Sequence, residues 1–227
     1  MRSKIVSLAA ILVTSGLSLS AQPKQVIDTT YANNSYKHRL AFFKQMPDTR
    51  KEIIFLGNSL TEAGEWQELT GNPKVKNRGI SGDVTYGIIA RLDEVLSSKP
   101  AKIFILTGTN DLKRGIPVAS ITATFERMLS IIKTQSPKTK IYLQSVFPVN
   151  EAMTGESYKK ITNEVVVLLN EKLKLMAPKY GSVYVDLHHL LTDSNGQLKK
   201  EYTLDGIHLW PDAYKVWVDY LKSNNYL

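Results

Sequence analysis

Two rhythms of apolar residues alternate along the chain. Over residues 52–56, 102–107, 140–146 and 182–187 the apolar positions run almost without a break and are rich in isoleucine, leucine and valine. Short continuous runs of this kind suit strands buried on both faces. Residues 74–77 read as a weaker strand. Between these runs apolar residues recur at helical spacing. Over residues 84–96, Ile88, Ile89, Leu92, Val95 and Leu96 share one side of a helix. Further helices are predicted over residues 31–46, stopped by Pro47-Asp48, and through Trp66 and Leu69. Others are predicted over 118–133, ended near Pro137, over 157–176, and from Pro211 to about Lys222. Pro211 suits the first turn of that last helix.

Strands alternating with helices imply parallel βαβ units. The expected architecture is α/β: a single three-layer α/β/α domain built on about five parallel strands. There is no internal repeat, low-complexity tract or interior linker. In such folds ligands bind at the carboxyl ends of the strands, so polar residues directly after strands are the ones to inspect.

The first stretch departs from this pattern. Arg2 and Lys4 form a basic head, residues 5–19 are uncharged and mostly apolar, and small Ser20 and Ala21 precede polar Gln22. That is the signal-peptide arrangement, and the apolar run falls short of the roughly 20 residues of a membrane span. The expected division is a signal peptide over residues 1–21 and one domain over 22–227. A periplasmic or secreted protein without stable membrane insertion follows.

Composition adds limits. With 227 residues, 43% hydrophobic and 22% charged, the chain is an ordinary globular one, long enough for a substantial core. It has no cysteine, which excludes disulfides, thiolate metal sites, a cysteine nucleophile and a lipoprotein anchor. The 4 histidines are scattered, so no metal is expected. The net charge of +8 falls to about +6 without Arg2 and Lys4, and the lysines form no long run. A solvated basic surface fits better than nucleic-acid binding, for which there is no motif.

Four segments carry candidate chemistry. Gly57-Asn58-Ser59-Leu60-Thr61 follows the first strand, and Asn77-Arg78-Gly79-Ile80-Ser81-Gly82-Asp83 the second. Gly108-Thr109-Asn110-Asp111 follows the third, and Asp205-Gly206-Ile207-His208 precedes the last helix. Acyl transfer to a hydroxyl needs a base within hydrogen-bond reach, an acceptor that orients the base, and donors for the oxyanion. Ser59, at a strand-to-helix turn, can expose a nucleophilic hydroxyl and offer its amide at a helix start. His208 can be the base, and Asp205 can orient it if the segment turns helically. Gly82 can bring an amide close, since no side chain obstructs it, and Asn110 carries a side-chain amide donor. Each has a plainer reading. Ser59 and Asn110-Asp111 suit helix caps, Gly79 and Gly82 suit turns, Asp205 suits an Asx-turn, and His208 could pack on Trp210. Joint placement after successive strands favours the site.

Together the four segments resemble the motif blocks of the SGNH hydrolases, the GDSL-type lipases and acylhydrolases. The resemblance runs from about Glu52 to the final helix. It implies a flavodoxin-like fold, Ser59 as nucleophile, Gly82 and Asn110 as oxyanion donors beside the Ser59 amide, and Asp205 with His208 as the catalytic pair. It implies no cofactor. Asn58 stands where the family name has Asp, and activity is expected to survive that change.

The substrate is less constrained. Short loops without a lid, together with similarity to acetylhydrolases of this family, point to short-chain acyl esters, above all O-acetyl groups on carbohydrates. The expected partner is therefore a small-molecule or glycan ester. Lysophospholipase or thioesterase activity is the alternative within the family, and a non-catalytic ligand-binding domain is the alternative outside it. Lys113 and Arg114 follow the Asn110 block and could attract anionic substrates at the rim, although a solvated pair is the plainer reading. Of His188 and His189, one is expected to face the core and one solvent. His38 is expected at the surface. None of these histidines receives a role.

Overall fold

A computed structural model describes residues 30–227. The predicted signal peptide lies outside the described residues. Helix α1 (Asn34–Gln45) leads into strand β1 (Ile53–Gly57), followed by α2 (Ser59–Glu62), α3 (Trp66–Thr70) and β2 (Val75–Gly79). Next come α4 (Thr85–Ile89), α5 (Leu92–Ser97), β3 (Lys102–Leu106), α6 (Thr109–Lys113), α7 (Val118–Gln135) and β4 (Lys140–Gln144). The chain continues through α8 (Asn163–Met176), β5 (Val183–Val185), α9 (His188–Leu191) and α10 (Pro211–Ser223).

The 5 strands form one parallel sheet in the order β2-β1-β3-β4-β5. This is the doubly wound arrangement expected from the alternating pattern. The winding reverses between β1 and β3, and the crevice at that switch point is where such folds place ligands.

Period-2 alternation splits the sheet's side chains between two cores. Ile54, Leu56, Ile103, Ile105, Ile141 and Leu143 face the layer that contains α4, α5, α7 and α8. Ile53, Phe55, Phe104, Leu106, Tyr142 and Val185 face Trp66 of α3 and Tyr214, Trp217 and Leu221 of α10. This second layer is aromatic. Phe55 stacks on Trp66 at 4.0 Å and on Phe104 at 4.9 Å, and Phe104 stacks on Tyr142 at 4.5 Å. The buried indole N–H of Trp217 donates to Gln144 Oε1 at 2.7 Å, so its polar edge is satisfied.

Several boundaries differ from the sequence expectation. The helix expected over 84–96 is two helices, because Arg91 (φ −125°, ψ 14°) leaves the helical conformation between them. The helix expected from residue 157 starts at Asn163, capped by Thr162. Asn163 is drawn inward, with its side chain bonded to both backbone groups of Val149 at 2.8 Å. The strand expected over 182–187 is only Val183–Val185, since Leu187 and His188 turn their amides to the Ser145 hydroxyl and start α9. The short helix α6 was not anticipated. No described helix is long and apolar enough to cross a membrane.

Candidate active site

The carboxyl end of β1 delivers Ser59. Asn58 caps α2 through its Oδ1, which accepts the Leu60 amide at 3.1 Å, while its carbonyl accepts the amides of Thr61 and Glu62. An Asp could supply the same acceptor oxygen, so Asn58 serves this cap equally well. Ser59 is half-buried, and its Oγ lies 3.1 Å from His208 Nε2.

The partner segment reaches Ser59 from 149 residues away. Asp205 Oδ1 accepts the amides of Ile207 at 3.0 Å and His208 at 2.7 Å. Its Oδ2 meets His208 Nδ1 at 2.7 Å. The segment thus turns as an Asx-type loop, the plainer sequence reading of Asp205, and the same carboxylate also meets the His208 ring. The loop is tied down at its neck, where Thr203 Oγ1 donates to the His208 carbonyl at 2.8 Å and accepts the Gly206 amide at 2.9 Å. Burial works to raise the Asp205 carboxyl. The hydrogen bonds from the His208 ring and from the His208 and Ile207 amides outweigh it and hold the group below its ordinary value. An ionised Asp205 fixes Nδ1 as the protonated ring nitrogen and leaves Nε2 free to accept a proton.

Gly82 and Asn110 follow the carboxyl ends of the neighbouring strands β2 and β3. Gly82 is exposed and takes φ +78°, a left-handed conformation that favours glycine. The preceding Ser81 amide donates to the Glu62 carboxylate at 2.5 Å, which links this turn to the helix that carries Ser59. Asn110 sits in α6 after β3, and its Nδ2 donates to the Asp83 carbonyl at 2.9 Å. A side-chain amide has two N–H donors, so one is used for anchoring and the other remains for a ligand. Below it, Asp111 is fully buried and accepts the Thr85 hydroxyl at 2.6 Å and the Thr85 amide. Burial is the dominant influence on Asp111 and raises it to about 6 despite the Thr85 bonds.

All five candidate residues therefore lie at the strand-end face. Hydrogen bonds directly join Ser59, His208 and Asp205. The remaining candidates behave more plainly. Lys113 stacks its ammonium over the Tyr158 ring at 3.9 Å, and Arg114 donates to the Thr30 carbonyl. His188 is half-buried against Thr192, whereas His189 keeps 55% of its side chain exposed. His38 is exposed. Among the described residues no group of His, Cys, Asp or Glu is arranged to hold a metal. Sequence reasoning missed the supports: Thr203, Asp83, Asp111 and Arg91. Arg91 left a trace, since it interrupts the apolar stripe of Ile88, Leu92 and Val95.

The chain matches the GDSL-like lipase/acylhydrolase family over residues 55–216. It is 25% identical over 180 residues to the human platelet-activating factor acetylhydrolase IB subunit alpha2, covering 76% of this chain and 75% of that one. It is 30% identical to an arylesterase of Vibrio mimicus, covering 77% of each. A Streptococcus pneumonia structure described as a platelet activating factor superposes with a TM-score of 0.78 at 32% identity, over 84% of this chain and 92% of the other. The acetylxylan esterase Axe2 of Geobacillus stearothermophilus shares the fold, with a TM-score of 0.62 at 18% identity over 78% and 95% of the two chains. A parallel sheet with a serine, a histidine and a carboxylate at its switch point agrees with these likenesses: the chain belongs to the GDSL-like lipase/acylhydrolase family and is a carboxylic ester hydrolase.

Proposed function

We propose that the protein is an exported serine esterase that removes short acyl groups, chiefly O-acetyl from carbohydrates, with Ser59, His208 and Asp205 as its triad. The observation that carries the triad is the unbroken chain of contacts from Ser59 Oγ through the His208 ring to Asp205. In this reading His208 Nε2 takes the Ser59 proton as Oγ attacks the ester carbonyl. Asp205 stabilises the imidazolium that results. The Ser59 and Gly82 amides and the free N–H of Asn110 hold the oxyanion. His208 then protonates the departing alcohol, and water, deprotonated by the same ring, releases the acid from the acyl-enzyme.

The acetyl assignment draws on the acetylhydrolase and acetylxylan esterase activities named for similar proteins. Export draws on the basic, apolar and small-residue order of residues 1–21. One feature favours a longer acyl chain. A mostly apolar cleft of about 200 Å³ is lined by Ala63, Leu69, Leu209, Pro211 and Tyr214, with Glu65 and Lys215 also on its wall. Leu209 follows His208, and the Ala63 amide bonds to the Ser59 carbonyl at 3.0 Å. A lysophospholipase or thioesterase would use such a cleft for its chain.

Hydrolysis of p-nitrophenyl acetate, butyrate and octanoate by the protein and by Ser59→Ala decides between these readings. Serine-dependent turnover falling steeply with chain length is expected. Turnover rising with length assigns the cleft to a long acyl chain and overturns the acetyl assignment. Turnover unchanged in Ser59→Ala, or no labelling of Ser59 by a fluorophosphonate, overturns the triad. Asn110→Ala is expected to lose about 100- to 1,000-fold in kcat, and an intact kcat removes Asn110 from the oxyanion site.

A further inference from the structure

Arg91 and Asp83 form an ion pair at 2.9 Å with both side chains 0% exposed. Each guanidinium nitrogen has a partner. Its Nε donates to Asp83 Oδ2, one terminal nitrogen donates to the Arg78 carbonyl at 2.9 Å, and the other to the Gly57 carbonyl at 3.0 Å. Gly57 ends β1 two residues before Ser59, and Arg78 lies near the end of β2. Asp83 follows Gly82 directly. Its Oδ1 accepts the Val84 amide at 2.9 Å, and its carbonyl is the anchor of Asn110 Nδ2. One planar fork therefore joins the end of the nucleophile strand, its neighbouring strand, and the turn that carries Gly82 and steadies Asn110.

Such a pair is an expensive way to fill space. Well-packed apolar residues of similar volume often serve stability as well or better. Burial lifts the Asp83 carboxyl to about 6 against the opposing pull of Arg91. What the pair supplies is fixed direction, because a guanidinium fork meets its acceptors in a single plane.

We propose that Arg91 and Asp83 are positioning residues that align the oxyanion donors, the Gly82 amide through the turn and the Asn110 amide through the Asp83 carbonyl. The proposal rests on the assignment of Gly82 and Asn110 given above. Neither Arg91 nor Asp83 touches substrate. Donors that act on the oxyanion must sit within tenths of an ångström of their place when charge develops, and ground-state binding depends on them far less. Misalignment therefore lowers kcat and spares KM.

The test is a double-mutant cycle on p-nitrophenyl acetate. Asp83→Asn keeps the shape and the acceptor for Val84 but removes the charge. Arg91→Lys keeps the charge but removes the fork. Each is measured alone and combined with Asn110→Ala, well below its own Tm. Each single change is expected to lower kcat about tenfold or more with KM within about twofold. In the Asn110→Ala background the same change is expected to cost less than about threefold, since one of the donors it aligns is gone. A purely structural role gives equal losses in both backgrounds, and that result, or a loss in KM alone, overturns the proposal. If Asp83→Asn does not fold, Arg91→Lys carries the same comparison. An Asn110→Ala enzyme with full kcat instead faults the oxyanion assignment itself. The two failures are thereby told apart.

Discussion

Asp111 is a carboxylate in a place hostile to charge: fully buried, held by Thr85, and raised to about 6. Its folded-state value lies above the ordinary 3.8. The folded protein therefore binds a proton more readily than the unfolded chain between those values, and this group's contribution to stability rises as pH falls from 7 through 6 towards 4. Relative to Asp111→Asn, the native protein is expected to gain on the order of 2 kcal/mol over that range. Urea unfolding of both proteins at pH 7 and pH 4.5 checks this, and a constant difference between them would refute it. At the same scale, Arg91→Met leaves Asp83 buried without its partner and is expected to cost about 3–5 kcal/mol. The groups nominated for chemistry were readable as residues because each follows a strand or precedes a helix in a recognisable short segment. The groups that hold them were not. Asp111 and Thr203 look like turn or cap residues in the sequence, and their burial comes from packing between distant segments. Only Arg91 broke a local pattern, as a cation within an apolar stripe.

Among the elements, the loop that carries Asp205 and His208 depends on Gly206. It sits at φ +88°, and a Cβ there would lie 2.7 Å from the Asn150 carbonyl oxygen. That carbonyl belongs to the segment after β4, and the Asn150 amide in turn donates to Gly206 O at 2.9 Å. Gly206→Ala is therefore expected to cost about 1–3 kcal/mol and to lower kcat by displacing His208. A melting curve and p-nitrophenyl acetate turnover check the two effects, and a variant with native Tm and kcat would show that the loop seats independently of this contact. The strands with continuous apolar runs were legible, as were the helices with long apolar stripes, α7 and α10. Element ends were less so, because side chains with distant partners set them. Asn163 is pulled onto Val149 and the Ser145 hydroxyl captures the amides of Leu187 and His188, and neither contact has a signature in local spacing.

For the molecule as a whole, the excess of cations sets long-range behaviour. The full chain carries a net charge of +8, about +6 without Arg2 and Lys4 of the predicted signal peptide. An anionic ester is expected to lose several-fold in kcat/KM between low and about 0.2 M salt, while a neutral ester changes little, as screening shortens the reach of the field. Stopped-flow or initial-rate measurements with a matched pair of esters check this, and equal salt responses would remove steering from the account. The sheet's strand order was legible only as a class, because parallel alternation allows several orders and packing selects one. The position of the histidine segment has a further consequence. Ser59, Gly82 and Asn110 directly follow the first three strands in sequence, whereas Asp205 and His208 come after all five. During refolding, the sheet can assemble with its nucleophile already in place but with no group to take its proton. Hydrolysis then serves as a clock for the closing event alone: its return should trail the recovery of helical and sheet signals by the time the downstream loop takes to dock.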